Sequence, residues 1–167
     1  MARTEEILGK LRVAGSEYEC YVASLPPESG EDRLEPDGWS VLLVAEHVVL
    51  AERAMLEMFR AGQITTSLGE SHEERLAIVM ANRLARAKAP VPVTPTGRFR
   101  SLAEAVGEFA ATRGETMQMF REDRRDMAAL VCKHPMVGPV NGYEMMVLVM
   151  GHANRHLAQI REIVAAK

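Results

Sequence analysis

The chain is poor in aromatic residues, at 5% of the sequence, and it contains only two cysteines. It has no run of about 18 apolar residues to span a bilayer, and its first residues lack the apolar stretch of a signal peptide. Acidic and basic residues are interspersed with a net charge of -3, so no basic surface for nucleic acid is expected. These absences predict a cytoplasmic protein whose partners include neither membrane nor nucleic acid, with Cys20 and Cys132 as thiols.

Apolar residues at helical spacing dominate what is present. The sequence is 47% hydrophobic with 11 methionines, a composition that favours helices over a β-sandwich. A length of 167 residues predicts one domain, residues 1–167. The periodicity predicts four long helices and one shorter one, with approximate bounds 4–25, 39–60, 71–88, 101–130 and 142–165.

Prolines and glycines separate these segments. The run Pro90–Pro95 contains three prolines, so it is predicted to be an extended crossover. Ser71 and Ser101 each stand three residues before a glutamate, the pattern of a helix-capping box. Four long helices, one short helix and a long crossover predict an all-α protein built as a four-helix bundle, a fold that places metal sites between facing helices.

Three histidines are the candidate ligands of such a site. His152 and His156 are four residues apart on an otherwise apolar helical stripe, so their rings share one face. Burying two imidazoles without partners costs about 1–3 kcal/mol for each unmet polar group, and one metal ion satisfies both. His47, inside the second predicted helix, is the candidate third ligand. Three histidines leave coordination positions open for water or substrate.

The other two histidines are weaker candidates. His72 belongs to the first turn of a predicted capping box, where a surface position is expected. His134 stands beside Pro135 in a predicted loop and is a rival ligand or a substrate contact. Cys132 and His134 form a single metal-ligand pair, which is a weak signal without a second pair.

Two more polar residues fall near the predicted buried faces. Arg113 is four residues after Phe109, so its stem can pack while its head reaches solvent. Alternatively, its guanidinium binds a carboxylate within the bundle or an anionic substrate group. Gln159, three residues after His156, either contacts a ligand or braces the helix, and the sequence does not separate these roles.

Together these residues form a pattern that resembles the DinB-like superfamily of metal-binding four-helix bundles. The pattern comprises Gly38-Trp39-Ser40 opening the helix of His47, Lys133-His134-Pro135-x-x-Gly138, and His152-x-x-x-His156-x-x-Gln159-Ile160. The resemblance spans nearly the whole chain. It implies that His47, His152 and His156 hold a metal ion, and it places the chain near bacillithiol S-transferases and mycothiol-dependent maleylpyruvate isomerases.

The leading functional hypothesis is a metal-dependent S-transferase. A divalent ion held by three neutral imidazoles can deprotonate a bound thiol, so a low-molecular-weight thiol would attack a small electrophilic substrate, with Arg113 and His134 as candidate anchors for anionic groups. The alternatives are a hydrolase that uses activated water and a non-catalytic stress protein with a structural metal. Zinc and nickel are the expected metals, although imidazole also suits copper and iron. A Met-rich bundle could also pair as a homodimer.

Overall fold

The computed structural model describes residues 2–65, 71–83 and 88–167. This part of the chain contains five α-helices, three short β-strands and two 3₁₀ turns, Pro27–Glu31 and Val91–Val93. In chain order the helices and strands are α1 (Ala2–Ala23), α2 (Val41–Arg60), β1 (Gln63–Ile64), α3 (Glu73–Ala81), α4 (Leu102–Glu122), β2 (Leu130–His134), β3 (Gly138–Asn141) and α5 (Gly142–Ala165).

Four long helices form the predicted bundle. Helices α1 and α2 each pack against both α4 and α5, so they occupy opposite corners, and the short α3 lies on the outside of α5. The core has two apolar clusters, one around Phe59 and Phe120 and the other around Tyr18 and Phe109. The prediction of a four-helix bundle with one additional short helix is therefore confirmed. None of the described helices has the length and apolar character that a bilayer span requires.

The helices that carry the histidines form close to the predicted positions. Helix α2 begins after Ser40, whose side chain accepts a hydrogen bond from the backbone N–H of Leu43. Helix α5 has the predicted bounds. At its start Asn141 and Glu144 form a reciprocal capping box, in which each side chain accepts from the other's backbone N–H. Both helices that carry the histidines therefore begin with a capped N-terminus.

Helix α3 is shorter than predicted. It covers Glu73–Ala81 rather than 71–88, because Asn82 leaves the helical conformation, and part of the predicted extension (84–87) lies outside the described residues. The predicted capping box at Ser71 does not form. The Ser71 hydroxyl bonds to the Glu73 carboxylate instead, and His72 occupies the capping position without a side-chain bond.

The prediction that the fourth long helix reaches residue 130 is wrong. Helix α4 ends at Glu122, and Leu130–His134 is the central strand of an antiparallel sheet ordered β1-β2-β3. His134 is therefore on a strand rather than in a loop. It pairs with Gly138, whose positive φ of 82° closes the turn between β2 and β3. The small sheet sits between the ends of α2 and α5 and adds a β-element to a mainly helical fold.

Candidate metal centre

Helices α2 and α5 bring the three candidate histidines together. The ring centroid of His47 lies 4.9 Å from that of His152 and 4.7 Å from that of His156, and the two rings on α5 are 4.5 Å apart. Each residue offers one donor atom such that all three donors lie within 4.8 Å of one another. His47 and His156 are buried, and His152 is partly exposed. The spacing of four residues on α5 thus produces the convergence that the sequence predicts.

The orientation of the His47 ring is set by a backbone carbonyl. Its Nδ1 lies 2.7 Å from the carbonyl oxygen of Val93, in the 3₁₀ turn of the proline run. A carbonyl oxygen only accepts, so Nδ1 carries the proton and Nε2 keeps a free lone pair. The Trp39 ring also packs against His47, at 4.9 Å between centroids. The nitrogen left free is the one that a metal ion needs.

A similar hydrogen bond holds His156. Its Nδ1 is 2.8 Å from Oε1 of Gln159, one helical turn further along α5. With this amide oxygen accepting, Nδ1 is protonated and Nε2 is free, as in His47. Partners of this kind fix the tautomer and ring orientation of metal-binding histidines. Gln159 therefore contacts His156, a candidate metal ligand.

Burial keeps all three imidazoles neutral near pH 7. For His47, burial lowers the pKa, although the bond to Val93 opposes the shift. Burial and the charge of His47 lower the pKa of His156 to about 3. Burial also holds the pKa of His152 well below its usual range, with the neighbouring histidines adding to the effect. Neutral imidazoles are the form that binds a metal ion, so protons compete weakly for this site.

The segment beside His47 is fastened to α2 by Glu46. We call residues 90–98 the strap. The buried carboxylate of Glu46 accepts hydrogen bonds from the backbone N–H groups of Thr96, Gly97 and Arg98 at 2.8–2.9 Å, and from the Thr96 hydroxyl at 3.2 Å. Burial acts to raise the pKa of Glu46, but these bonds outweigh it and lower the pKa. The strap is not wholly extended as predicted, because Val91–Val93 makes a 3₁₀ turn.

The donor set fits a divalent transition metal. Imidazole nitrogen is a ligand for zinc, nickel, copper and iron, and three such ligands leave at least one coordination position free. Among the residues that the structure describes, no histidine, cysteine, aspartate or glutamate joins the three histidines as a fourth donor. The group can therefore hold a metal ion and still accept a ligand from solution.

Comparison with known proteins agrees with this architecture. A family model described as the DinB superfamily matches residues 10–160. The chain belongs to the DinB superfamily. Among solved structures, a four-helix bundle protein named TT2238 is similar with a TM-score of 0.63, covering 95% of this chain and 98% of that chain. At 18% identity, that likeness bears on the fold alone. The search of curated proteins gave no match.

Within this DinB-superfamily bundle, Arg113 is a buried residue that binds other groups of the protein interior. The residue is only 3% exposed, so the expectation of a solvent-exposed head is wrong. Nε and Nη2 donate to the two carboxylate oxygens of Glu52 at 2.8 and 2.9 Å, and Nη1 donates to the carbonyl of Leu11 at 2.9 Å. Of the roles considered for Arg113, the carboxylate partner within the bundle is the one its contacts support.

The remaining predicted candidates lie outside the three-histidine group. His134 is half-buried on β2, where burial lowers its pKa. His72 is exposed, as expected. Both cysteines are free thiols, and Cys132 is buried, which raises its pKa to about 11. His134 therefore stays a candidate substrate contact, while the Cys132 and His134 pair gains no further ligand among the described residues.

Sequence reasoning did not find the supporting contacts of His47. Glu46 was recognisable only as a carboxylate pointing about 100° away from His47 on the same helix. Nothing local indicates that it binds a segment 50 residues later. The one available signal was that the residues three and four positions before and after Glu46 on the helix are all apolar, since a carboxylate buried among them requires donors.

Proposed function

We propose that this protein binds a divalent metal ion through His47, His152 and His156 and acts as a metal-dependent S-transferase, joining a low-molecular-weight thiol to a small electrophilic molecule. The observation that carries the proposal is the convergence of three neutral imidazoles with no fourth protein donor among the described residues. Zinc or nickel is the metal that we expect. When bound, such an ion would supply a positive charge that favours the thiolate form of a coordinated thiol at neutral pH.

The chain's own residues prepare the site for that chemistry. Val93 and Gln159 accept from Nδ1 of His47 and His156, which directs the other nitrogen of each ring toward the centre. The Trp39 ring packs beside the His47 ring. His134, on the neighbouring strand, is our candidate contact for an anionic group of the substrate. The partly exposed His152 marks the side from which small molecules would enter.

The hydrolase alternative has less support. Activating water for hydrolysis calls for a general base within reach, and the carboxylate nearest in sequence is Glu46. Four hydrogen bonds to the strap already engage Glu46, so it has little capacity to accept another proton. A thiol bound as thiolate needs no such base for its attack. A purely structural metal is also less well supported, because structural zinc sites are usually closed by four protein ligands.

Metal binding is tested first. The wild type, His47→Ala and His156→Ala are stripped with a chelator, dialysed against zinc or nickel, and measured by elemental analysis. His72→Ala, which removes an exposed histidine outside the group, is the matched control. We expect about one equivalent in the wild type and the control, and strong loss in both site variants. Unchanged metal content in His47→Ala would contradict the proposed ligand set.

Transfer activity is tested on the metal-loaded protein. Glutathione, cysteine, bacillithiol and mycothiol are each offered with chromogenic aryl halide and epoxide acceptors, and conjugates are followed by absorbance and mass spectrometry. We expect conjugation with at least one thiol, abolished by chelation and restored by metal. A parallel screen with ester and amide substrates tests the alternative that the protein is a hydrolase. Metal-dependent hydrolysis without any thiol conjugation would replace the transferase proposal.

A further inference from the structure

We propose that Glu46 is a positioning residue for His47, acting through the strap rather than by contact with the ring. The inference builds on the proposed metal site, but the hydrogen-bond chain that carries it is a property of the protein alone. That chain runs from the Glu46 carboxylate to the backbone of residues 96–98, along the strap to the Val93 carbonyl, and from there to Nδ1 of His47.

The first link is strong because of its charge and burial. Glu46 is 1% exposed, and a buried carboxylate is stable only where donors replace water. Its donors are three consecutive backbone N–H groups, so their bonds are charge-assisted. The middle donor belongs to Gly97, whose φ of 82° is left-handed and helps to turn successive N–H groups toward one anion. The glutamate therefore fixes the backbone conformation of this end of the strap.

The second link is short and stiff. Only two residues, Thr94 and Pro95, separate Val93 from the segment that Glu46 holds. The Thr94 side chain and the Val93 N–H both bond to the carbonyl of Pro90, which closes the 3₁₀ turn. Three prolines at 90, 92 and 95 restrict φ in the same stretch. A displacement at residues 96–98 would therefore move the Val93 carbonyl.

The third link decides which nitrogen of His47 is available. A neutral imidazole exchanges between two tautomers, and the bond to the Val93 carbonyl selects the one with the proton on Nδ1. Without that acceptor the ring can protonate Nε2 instead or rotate away from His152 and His156. Glu46 and His47 are adjacent on α2 and point about 100° apart, so one helix turn holds both the ligand and the anchor of its orienting group.

The test uses Glu46→Gln, which keeps the size of the side chain but replaces one acceptor oxygen by a donor. The matched control is Glu144→Gln. Glu144 is also buried, at 3% exposed, and also accepts from backbone N–H groups, but its donors, His72 and Asn141, are outside the strap. Two quantities are measured: the tautomer of His47 in metal-free protein by ¹⁵N histidine NMR, and zinc affinity by competition with a chromogenic chelator.

We expect wild type and Glu144→Gln to show His47 protonated on Nδ1 and to bind zinc equally. Glu46→Gln should show a mixture of tautomers and about tenfold weaker zinc binding, the lower end of the range for residues that orient metal ligands. Gly97→Ala, which strains the left-handed turn and leaves Glu46 intact, should change both quantities in the same direction. Gly97→Asn should resemble the wild type, since asparagine tolerates that conformation.

Failure of the inference and failure of the proposed function have different signatures. A pure Nδ1 tautomer with unchanged zinc affinity in both Glu46→Gln and Gly97→Ala would overturn the positioning role. If the wild type binds no zinc or nickel, the proposed function fails, while the tautomer comparison still decides the role of Glu46. Should Glu46→Gln not fold, Gly97→Ala gives the decisive measurement.

Discussion

Arg113 and Glu52 form a bidentate ion pair inside the bundle, with Nε and Nη2 of the arginine 2.8 and 2.9 Å from the two carboxylate oxygens. Both side chains are almost fully buried, at 4% and 1% exposed. The remaining donor nitrogen, Nη1, binds the carbonyl of Leu11, so one guanidinium links α1, α2 and α4. Gly15 on α1 faces it, and a Cβ there would be in van der Waals contact with the arginine side chain at 3.4 Å.

This pair predicts a large difference between single and double substitutions. Arg113→Met should lower the free energy of unfolding by about 3–5 kcal/mol, because it leaves a buried carboxylate without its partner. Glu52→Leu combined with Arg113→Met should recover most of that loss, since replacing both charges by apolar groups removes the desolvation cost. Urea unfolding at pH 7 measures both. If the double variant is as unstable as the single one, packing rather than charge would account for the loss.

The depressed pKa values of the clustered histidines predict acid sensitivity of the metal-free protein. Burial lowers the pKa of His47, His152 and His156 in the folded state, for His156 to about 3, whereas in the unfolded chain each titrates near its ordinary value of about 6.5. Below pH 6.5 the unfolded state therefore binds more protons than the folded state. Folding stability should fall as the pH drops, by up to about 1.4 kcal/mol per pH unit for each such histidine.

The measurement is urea unfolding with a chelator present between pH 7.5 and 5.0. In this window the carboxylates with lowered pKa, such as Glu46 and Asp123, contribute little, because they bind protons only below about pH 4.5. His156→Leu should flatten the pH dependence by up to one proton, and His72→Leu controls for removing a histidine outside the cluster. An unchanged slope in His156→Leu would show that this residue does not carry the effect.

Periodicity and capping made much of the site predictable. The apolar stripe of α5 continues without interruption through His152 and His156, and the helix has the predicted bounds. The position of His47 seven residues after the cap at Ser40 placed it in the interior of α2. These features are local, since a helix fixes which side chains share a face before any tertiary contact forms. The family resemblance, which the match to the family model confirms, then indicated that the histidines of the two helices form one site.

Features that depend on tertiary contacts were not predictable in the same way. Residues 123–130 contain no proline or glycine that would stop a helix, yet α4 ends at Glu122. Arg125 turns away to donate to the carbonyls of Phe59 and Gly62 at the end of α2, and it also binds Asp123. The strand Leu130–His134 then pairs with β1 and β3. Whether Leu130–His134 forms a helix or a strand depends on its pairing with β1 and β3. The role of Glu46 likewise depends on a tertiary contact, the one with the strap.

Two glycines on different helices predict opposite effects of the same substitution. A Cβ on Gly151 would lie 2.8 Å from Cβ of Met80, so Gly151→Ala should push α3 away from α5 and lower the free energy of unfolding by about 1–3 kcal/mol. Gly114 on α4 is exposed with nothing within 4 Å of that position. Gly114→Ala should stabilise the protein by about 0.5–1 kcal/mol.

Thermal and urea unfolding of the two variants beside the wild type give the comparison. Gly151 directly precedes His152, so zinc affinity is measured as well, to see whether the displaced α3 also disturbs the site. If both substitutions stabilise the protein equally, α3 can move away from α5 without loss of stability. The close approach of Met80 to Gly151 would then not require a glycine.

The bond between Gln159 and His156 predicts that metal affinity can be changed in both directions at one position. Gln159→Leu removes the acceptor 2.8 Å from Nδ1, so the ring loses its selected tautomer and zinc affinity should fall about tenfold. Gln159→Glu places a carboxylate there, which makes the imidazole a stronger donor and should raise affinity above that of the wild type. Asn154→Leu, at an exposed position of the same helix, is the control. Competition titrations with zinc measure all three, and equal losses in Gln159→Leu and Gln159→Glu would mean that the amide donates to His156 rather than accepting from it.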